Sequence, residues 1–183
     1  MSELTETMEN RQEIYKGKVL HVVCDDVLLP NGEPAKREFC IHVGAVAVIP
    51  ILPDGRVVME RQFRYPHNRV FLEIPAGKLD SVNECPLSAA ERELREETGA
   101  VSGKMTFIGQ LDTSPAILTE RIFMYLAEDL SFTDRELDDD EFLDVEMIHL
   151  SELYEMVMSG EIKDAKTQVA VLKVAAMRPE YFK

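Results

Sequence analysis

The hydrophobic residues of this chain are gathered in short runs, rich in Val and Ile, that are separated by Pro, Gly and Asn. Such runs predict β-strands, and the residues between them predict turns. Pro30-Asn31-Gly32 lies between the first two runs, which therefore predict an N-terminal antiparallel hairpin. The run GAVAVIPIL at 44–52 is continuously apolar, as in a strand buried on both faces. The predicted strands are 18–29, 35–43, 44–52, 56–63, 70–74, 104–110, 121–127 and 142–150.

Three segments predict helices instead. Pro86 near the first turn and Gly99 after the last turn delimit the clearest of them. Two more are predicted at 151–159, with Ser151 as the N-cap, and at 165–177. A mixed sheet with one helix inserted in mid-chain and helices at the end indicates an α+β or α/β fold.

Charge narrows the classes of partner. The 183 residues carry a net charge of −14, and Lys and Arg are scattered without a basic run. Nucleic acid and anionic membranes would repel such a chain, so neither is expected as a partner. The acidity has two readings that composition leaves open, namely general solubility or carboxylates gathered to hold divalent cations.

The cysteines and the N-terminal residues indicate the cellular compartment of the protein. Cys24, Cys40 and Cys85 show no C-x-x-C spacing, which argues against a zinc site and for free thiols in a reducing environment. Residues 1–15 are polar and acidic, so they predict a loose or lightly helical leader rather than a signal peptide. No apolar run is long enough to span a membrane. A cytoplasmic location is therefore expected.

Three glutamates share one edge of the clearest helix. Because a helix turns about 100° per residue, Glu93, Glu96 and Glu97 fall within an arc of about 100°. Like charges at these spacings repel by about a few tenths of a kcal/mol each, and Arg92 offsets part of that repulsion. Mg²⁺ would remove the rest, since hard cations prefer carboxylate oxygens. The alternative is a solvated helix face, which is commoner for charged helices. The arc beside the glutamates is apolar and consists of Leu87, Ala90 and Leu94.

The wider pattern resembles the Nudix box, which is Gly, five residues, Glu, seven residues, then Arg-Glu-aliphatic-x-Glu-Glu-x-Gly-aliphatic. From Glu84 through Arg92 to Ala100 the match is complete. Gly77 and Glu84 enclose six residues instead of five, and the extra residue falls in the loop 80–83. The stretches RQFRYP, EIPAGKLD, TSPAILTE and GEIKDAKT resemble the ADP-ribose pyrophosphatase branch of that family. Pro115 also fits the branch, although Ala116 follows it where Gly is usual.

The resemblance implies a Nudix-type α/β/α sandwich, with the mixed sheet between helices and the hairpin at the N-terminus. It implies that residues 1–43 form a leader and hairpin used for dimerisation, and that 44–183 form the hydrolase domain. The expected activity is Mg²⁺-dependent hydrolysis of ADP-ribose to AMP and ribose 5-phosphate by a homodimer, with Mn²⁺ as a substitute ion. Hydrolysis of GDP-mannose or of dinucleoside polyphosphates, and binding of ADP-ribose without cleavage, are the alternatives.

The same resemblance assigns site residues. The implied metal ligands are Ala76 through its carbonyl, Glu93, Glu96 and Glu97. The implied catalytic residues are Glu96, Glu97 and Glu141, and either Glu96 or Glu141 is the general base. The implied substrate contacts are Arg37, which reaches across from the partner subunit, and Arg64, Glu73, Pro115 and Glu120. Glu84 and Arg92 are expected to brace the loop against the helix.

Overall fold

The computed structural model describes residues 4–137 and 142–182. The chain divides into two compact units. The first comprises Met1–Val43 and Asp112–Arg121, and the second comprises Gly44–Leu111 and Ile122–Lys183. The predicted division between residues 43 and 44 coincides with a boundary between the units, and the segment Asp112–Arg121 groups with the first unit.

The first unit contains a three-stranded antiparallel sheet made of β1 (Thr7–Lys16), β2 (His21–Leu28) and β3 (Pro34–Ile41), with β2 in the centre. The predicted hairpin, β2 and β3, is confirmed, and its turn is closed by a 2.8 Å hydrogen bond from Gly32 N to the Leu29 carbonyl. The prediction of a helical or loose leader is wrong for β1. All ten residues of β1 are exposed, so no buried periodicity marks the strand, and backbone pairing with β2 defines it.

The second unit contains two sheets. The strands are β4 (Ala45–Pro50), β5 (Arg56–Arg64), β6 (Arg69–Glu73), β7 (Ala76–Lys78), β8 (Ala100–Asp112), β9 (Arg121–Phe132) and β10 (Leu143–His149). One sheet has the order β10-β5-β6 and is antiparallel. The other has the order β7-β4-β9-β8 and is mixed, because β4 pairs antiparallel with β7 and parallel with β9.

Helices cover both faces of β4. Every residue of β4 is buried, which confirms the prediction from its continuous apolar run. On one face, Val46 and Val48 pack with α1 (Pro86–Thr98). On the other face, Ala47 and Ile49 belong to the core that includes α2 (Leu150–Met158) and α3 (Ala165–Met177). The α+β sandwich is therefore confirmed.

The helix ends agree with the sequence in two cases out of three. Helix α1 has Pro86 in its first turn, and Gly99 follows it with a left-handed φ of 73°. Helix α3 has the predicted bounds. Helix α2 begins one residue early, and its N-cap is His149 rather than Ser151, because the His149 ring accepts a hydrogen bond from Ser151 N. Among the described residues, no helix combines the length and the apolar character required to cross a bilayer.

Candidate active site

The site is built where β7 faces α1. Glu97, which is 3% exposed, accepts a 3.0 Å hydrogen bond at Oε2 from Ala76 N. One turn earlier, Glu93 lies against Gly77 so closely that a Cβ there would fall 2.0 Å from Glu93 Cδ. A glycine at position 77 is therefore required for Glu93 to approach the strand, because any side chain would displace the carboxylate.

Arg92 ties the glutamates to the loop that precedes α1. Its Nη1 donates to Glu93 Oε1 at 2.8 Å and to Glu96 Oε2 at 3.2 Å. Its Nη2 lies 3.4 Å from Glu84 Oε1, and the other oxygen of Glu84 accepts from Asp80 N at 2.5 Å. Burial lowers the pKa of Arg92, but the charges of Glu93 and Asp80 and the hydrogen bonds to Glu93 and Glu96 outweigh it and hold that pKa above its ordinary value. Arg92 thus stays charged and fixes the loop to the helix, including the segment that carries the extra residue.

A cleft of about 540 Å³ opens at this point of the second unit. It brings together Ala76, Glu93, Glu96 and Arg64, four of the residues assigned from the sequence. Glu97 lies behind Ala76 as a hydrogen-bond acceptor. The full lining is Arg64, Ala76, Gly77, Lys78, Leu79, Asp80, Arg92, Glu93, Glu96 and Glu136. The cleft therefore combines carboxylates with cationic groups, as a site for a metal and an anionic substrate requires.

The donor set fits a hard divalent cation, since Glu93, Glu96 and Glu97 offer carboxylate oxygens beside a backbone strand. In the described ranges, no three acidic, His or Cys side chains are already gathered closely enough to hold an ion. The guanidinium of Arg92 takes the place of a cation between Glu93 and Glu96.

Arg64 is the last residue of β5 and lines the cleft, and Glu73 fixes its guanidinium. Its Nε and Nη2 each donate to the carboxylate of Glu73 at 2.8 Å. Glu73 is 3% exposed and also pairs with Lys166. Burial opposes ionisation of Glu73, but the hydrogen bond from Arg64 and the charge of Lys166 outweigh it and hold the pKa of Glu73 below its ordinary value. Glu73 is absent from the cleft lining, so its assignment to substrate contact stays a prediction.

Three other predicted substrate contacts lie in the first unit. Arg37 forms a two-point ion pair with Glu6, at 2.9 and 2.5 Å. Glu120 accepts a 2.6 Å hydrogen bond from Thr113 Oγ1. Pro115 is exposed in a turn closed by a bond from Leu118 N to Ser114 O. These assignments remain predictions.

Glu141, the predicted general base, lies outside the described residues. Two residues near the cleft were not predicted from the sequence, Glu136 and Lys166. Glu136 lines the cleft, is paired with Arg95 at 2.7 Å and donates its N–H to the Glu96 carbonyl. A lysine in the first turn of a helix is disfavoured by the helix dipole, and that signal was available in the sequence.

The chain is similar to known proteins over most of its length. The pattern of the NUDIX domain matches residues 41–169. The "ADP-ribose pyrophosphatase" of Bacillus subtilis is 43% identical over 173 residues, covering 93% of each chain. The "Methanol dehydrogenase activator" of Bacillus methanolicus is 41% identical over 162 residues, covering 87% of each.

A solved structure supports the fold independently of close sequence similarity. The structure described as "Crystal structure of ADP compounds hydrolase" matches with a TM-score of 0.85 at 22% identity, over 98% of both chains. Similarity at this identity supports the fold alone. Since the domain match covers more than half of the chain and contains both β7 and α1, this protein belongs to the NUDIX family of hydrolases.

Proposed function

We propose that this hydrolase cleaves the diphosphate bond of ADP-ribose, giving AMP and ribose 5-phosphate, and that Mg²⁺ is its metal. The observation that carries the proposal is the convergence of Glu93 and Glu97 on Ala76–Gly77, at a cleft that Arg64 also lines. The names of its relatives support the substrate class, since one is called an ADP-ribose pyrophosphatase.

Glu93, Glu96 and Glu97 would hold the metal, with Ala76 adding its carbonyl. When bound, a divalent ion supplies charge neutralisation for the diphosphate and a water of lowered pKa. Arg64 presents a fork of donors that suits phosphate oxygens. Its Nε and Nη2 are bound to Glu73, and the residue lines the cleft. Arg92 orients Glu93 and Glu96 from the side of the loop.

Proton transfer from the attacking water requires a carboxylate base. Glu96 lines the cleft and is one candidate; Glu141 is the other by resemblance. Such a group contributes roughly 10²–10⁴ in rate. The Glu141→Gln variant at saturating Mg²⁺ separates the two. If Glu141 is the base, its kcat falls by about this factor. A near-normal kcat would exclude Glu141 and leave Glu96 as the base.

The substrate assignment is tested by product analysis. We expect the protein with Mg²⁺ to convert ADP-ribose to AMP and ribose 5-phosphate, and to lose this turnover in EDTA and regain it when Mg²⁺ is restored. The panel includes GDP-mannose and a dinucleoside polyphosphate. A higher kcat/KM for either would transfer the assignment to that substrate. Tight binding of ADP-ribose in Mg²⁺ without any product would show a binding module and contradict hydrolysis.

We further propose a homodimer that uses the N-terminal sheet. The edge strand β1 leaves large hydrophobic side chains uncovered, since Met8, Ile14 and Tyr15 are 55%, 54% and 57% exposed. Exposed edge strands readily pair with a second copy. We expect sedimentation at assay concentration to give about twice the 20.8 kDa of one chain. A monomer that retains full activity would remove Arg37 from the site.

A further inference from the structure

A buried lysine behind the cleft has no role in the catalytic scheme given so far. Lys166 is 9% exposed and lies in the first turn of α3. Both features disfavour a positive charge, because burial removes its hydration and the N-terminus of a helix is itself positive. A lysine at such a position needs compensating carboxylates.

Two carboxylates provide that compensation. Glu73, at the end of β6, forms an ion pair with Lys166, and Asp164 lies 3.1 Å from Lys166 Nζ. The remaining oxygen of Asp164 caps α3 by accepting from Thr167 N at 2.9 Å. The Lys166 ammonium is thereby fixed relative to the helix end and, through Glu73, relative to the sheet.

Glu73 connects Lys166 to the cleft, because it also binds Arg64. Glu73 Oε2 is shared between Lys166 and Arg64 Nη2, and Glu73 Oε1 accepts from Arg64 Nε. Arg64 is the member of this chain of contacts that lines the cleft, with its side chain 40% exposed. The four groups, Arg64, Glu73, Lys166 and Asp164, carry two positive and two negative charges.

We propose that Lys166 is a positioning residue for binding of the substrate diphosphate, a role that rests on the proposed function. Lys166 balances the second negative charge behind the cleft and fixes the Glu73 carboxylate in the orientation that presents Arg64. Without Lys166, the group would carry a net charge of −1 directly behind the anion-binding residue. An anionic substrate would then bind less tightly, while the glutamates on α1 would keep their geometry.

The test compares Lys166→Met, Lys166→Gln and Lys166→Arg with wild type. We expect the first two to raise KM about tenfold, as one uncompensated charge near an anion would, and to change kcat less than about twofold. Lys166→Arg should restore a KM near that of wild type. The matched control is Lys163→Met, which removes the same charge from an exposed lysine outside the network and should leave both constants unchanged.

A second measurement keeps this test separate from the choice of substrate. The α,β-methylene analogue of ADP carries two phosphorus groups joined by a carbon that water cannot cleave. Its Kd in Mg²⁺, measured by calorimetry, should therefore rise about tenfold in Lys166→Met or Lys166→Gln. If wild type failed to cleave ADP-ribose, the proposed function would be wrong, but the comparison of Kd values would still test the role of Lys166. An unchanged Kd and KM in whichever of the two variants folds would overturn the role of Lys166, as would a loss confined to kcat or to melting temperature.

Discussion

Replacing Glu97 by glutamine is expected to reduce kcat more than about a hundredfold, since even partners in the outer shell of a metal site cost about 10- to 100-fold. The fold should survive, because glutamine keeps an oxygen that can accept the hydrogen bond from Ala76 N. What the substitution removes is the negative charge and one carboxylate oxygen. Steady-state kinetics at saturating Mg²⁺, together with a thermal melt, measure both effects.

The control for this variant is Glu91→Gln on the same helix. Glu91 is exposed and outside the cleft lining, so the substitution removes the same charge from α1 without touching the site. It should retain nearly full turnover. Near-normal activity of Glu97→Gln at saturating Mg²⁺ would show that Glu97 is a buried structural acceptor for β7 and not part of the catalytic machinery.

The elements that sequence predicted well are those with strong local signals. The run at 44–52 is apolar throughout because β4 is covered on both faces, and Pro86 and Gly99 mark the ends of α1 by their own backbone preferences. Strand β1 could not be predicted, because its exposed residues show no buried face. Strand β7 has only three residues, Ala76–Lys78, and exists through pairing with β4.

The contacts of the site also fall into those that the sequence predicted and those that only the tertiary fold reveals. Helical periodicity alone predicts Glu93, Glu96 and Glu97 on one edge of α1. In the structure Glu93 and Glu96 line the cleft, and Glu97 lies behind Ala76. The i, i+4 spacing predicted the pairing of Arg92 with Glu96, and the structure confirms it. The spacing could not show that the same Nη1 also donates to Glu93, because the choice of side-chain rotamer depends on the loop in front of the helix. The pair of Glu73 and Lys166 joins residues 93 positions apart, so only the tertiary fold reveals it.

Replacing Glu73 by glutamine is expected to lower the free energy of unfolding by about 3 kcal/mol, since breaking a buried pair leaves the partner charge uncompensated. Lys166 is affected most, because it would retain only Asp164 as a counter-charge. Arg64 is partly exposed and can turn toward water, which places the loss at the lower end of the range for buried pairs. Urea denaturation at pH 7 measures the difference. The exposed pair of Arg121 and Asp112 gives the control, and Asp112→Asn should cost less than about 1 kcal/mol.

The dependence on pH distinguishes a charge effect from a packing effect. The pKa of Glu73 is lowered in the folded protein, so the stability gained from its ionised form is fully present above its ordinary value of 4.5. That stability is lost as the pH falls through the folded pKa, because protonation then favours the unfolded chain. The difference in the free energy of unfolding between wild type and Glu73→Gln should therefore become smaller below pH 4.5. A difference that stays constant on acidification would mean that Glu73 stabilises the fold by its shape and hydrogen bonds, and that the charge balance behind Arg64 has no part in it.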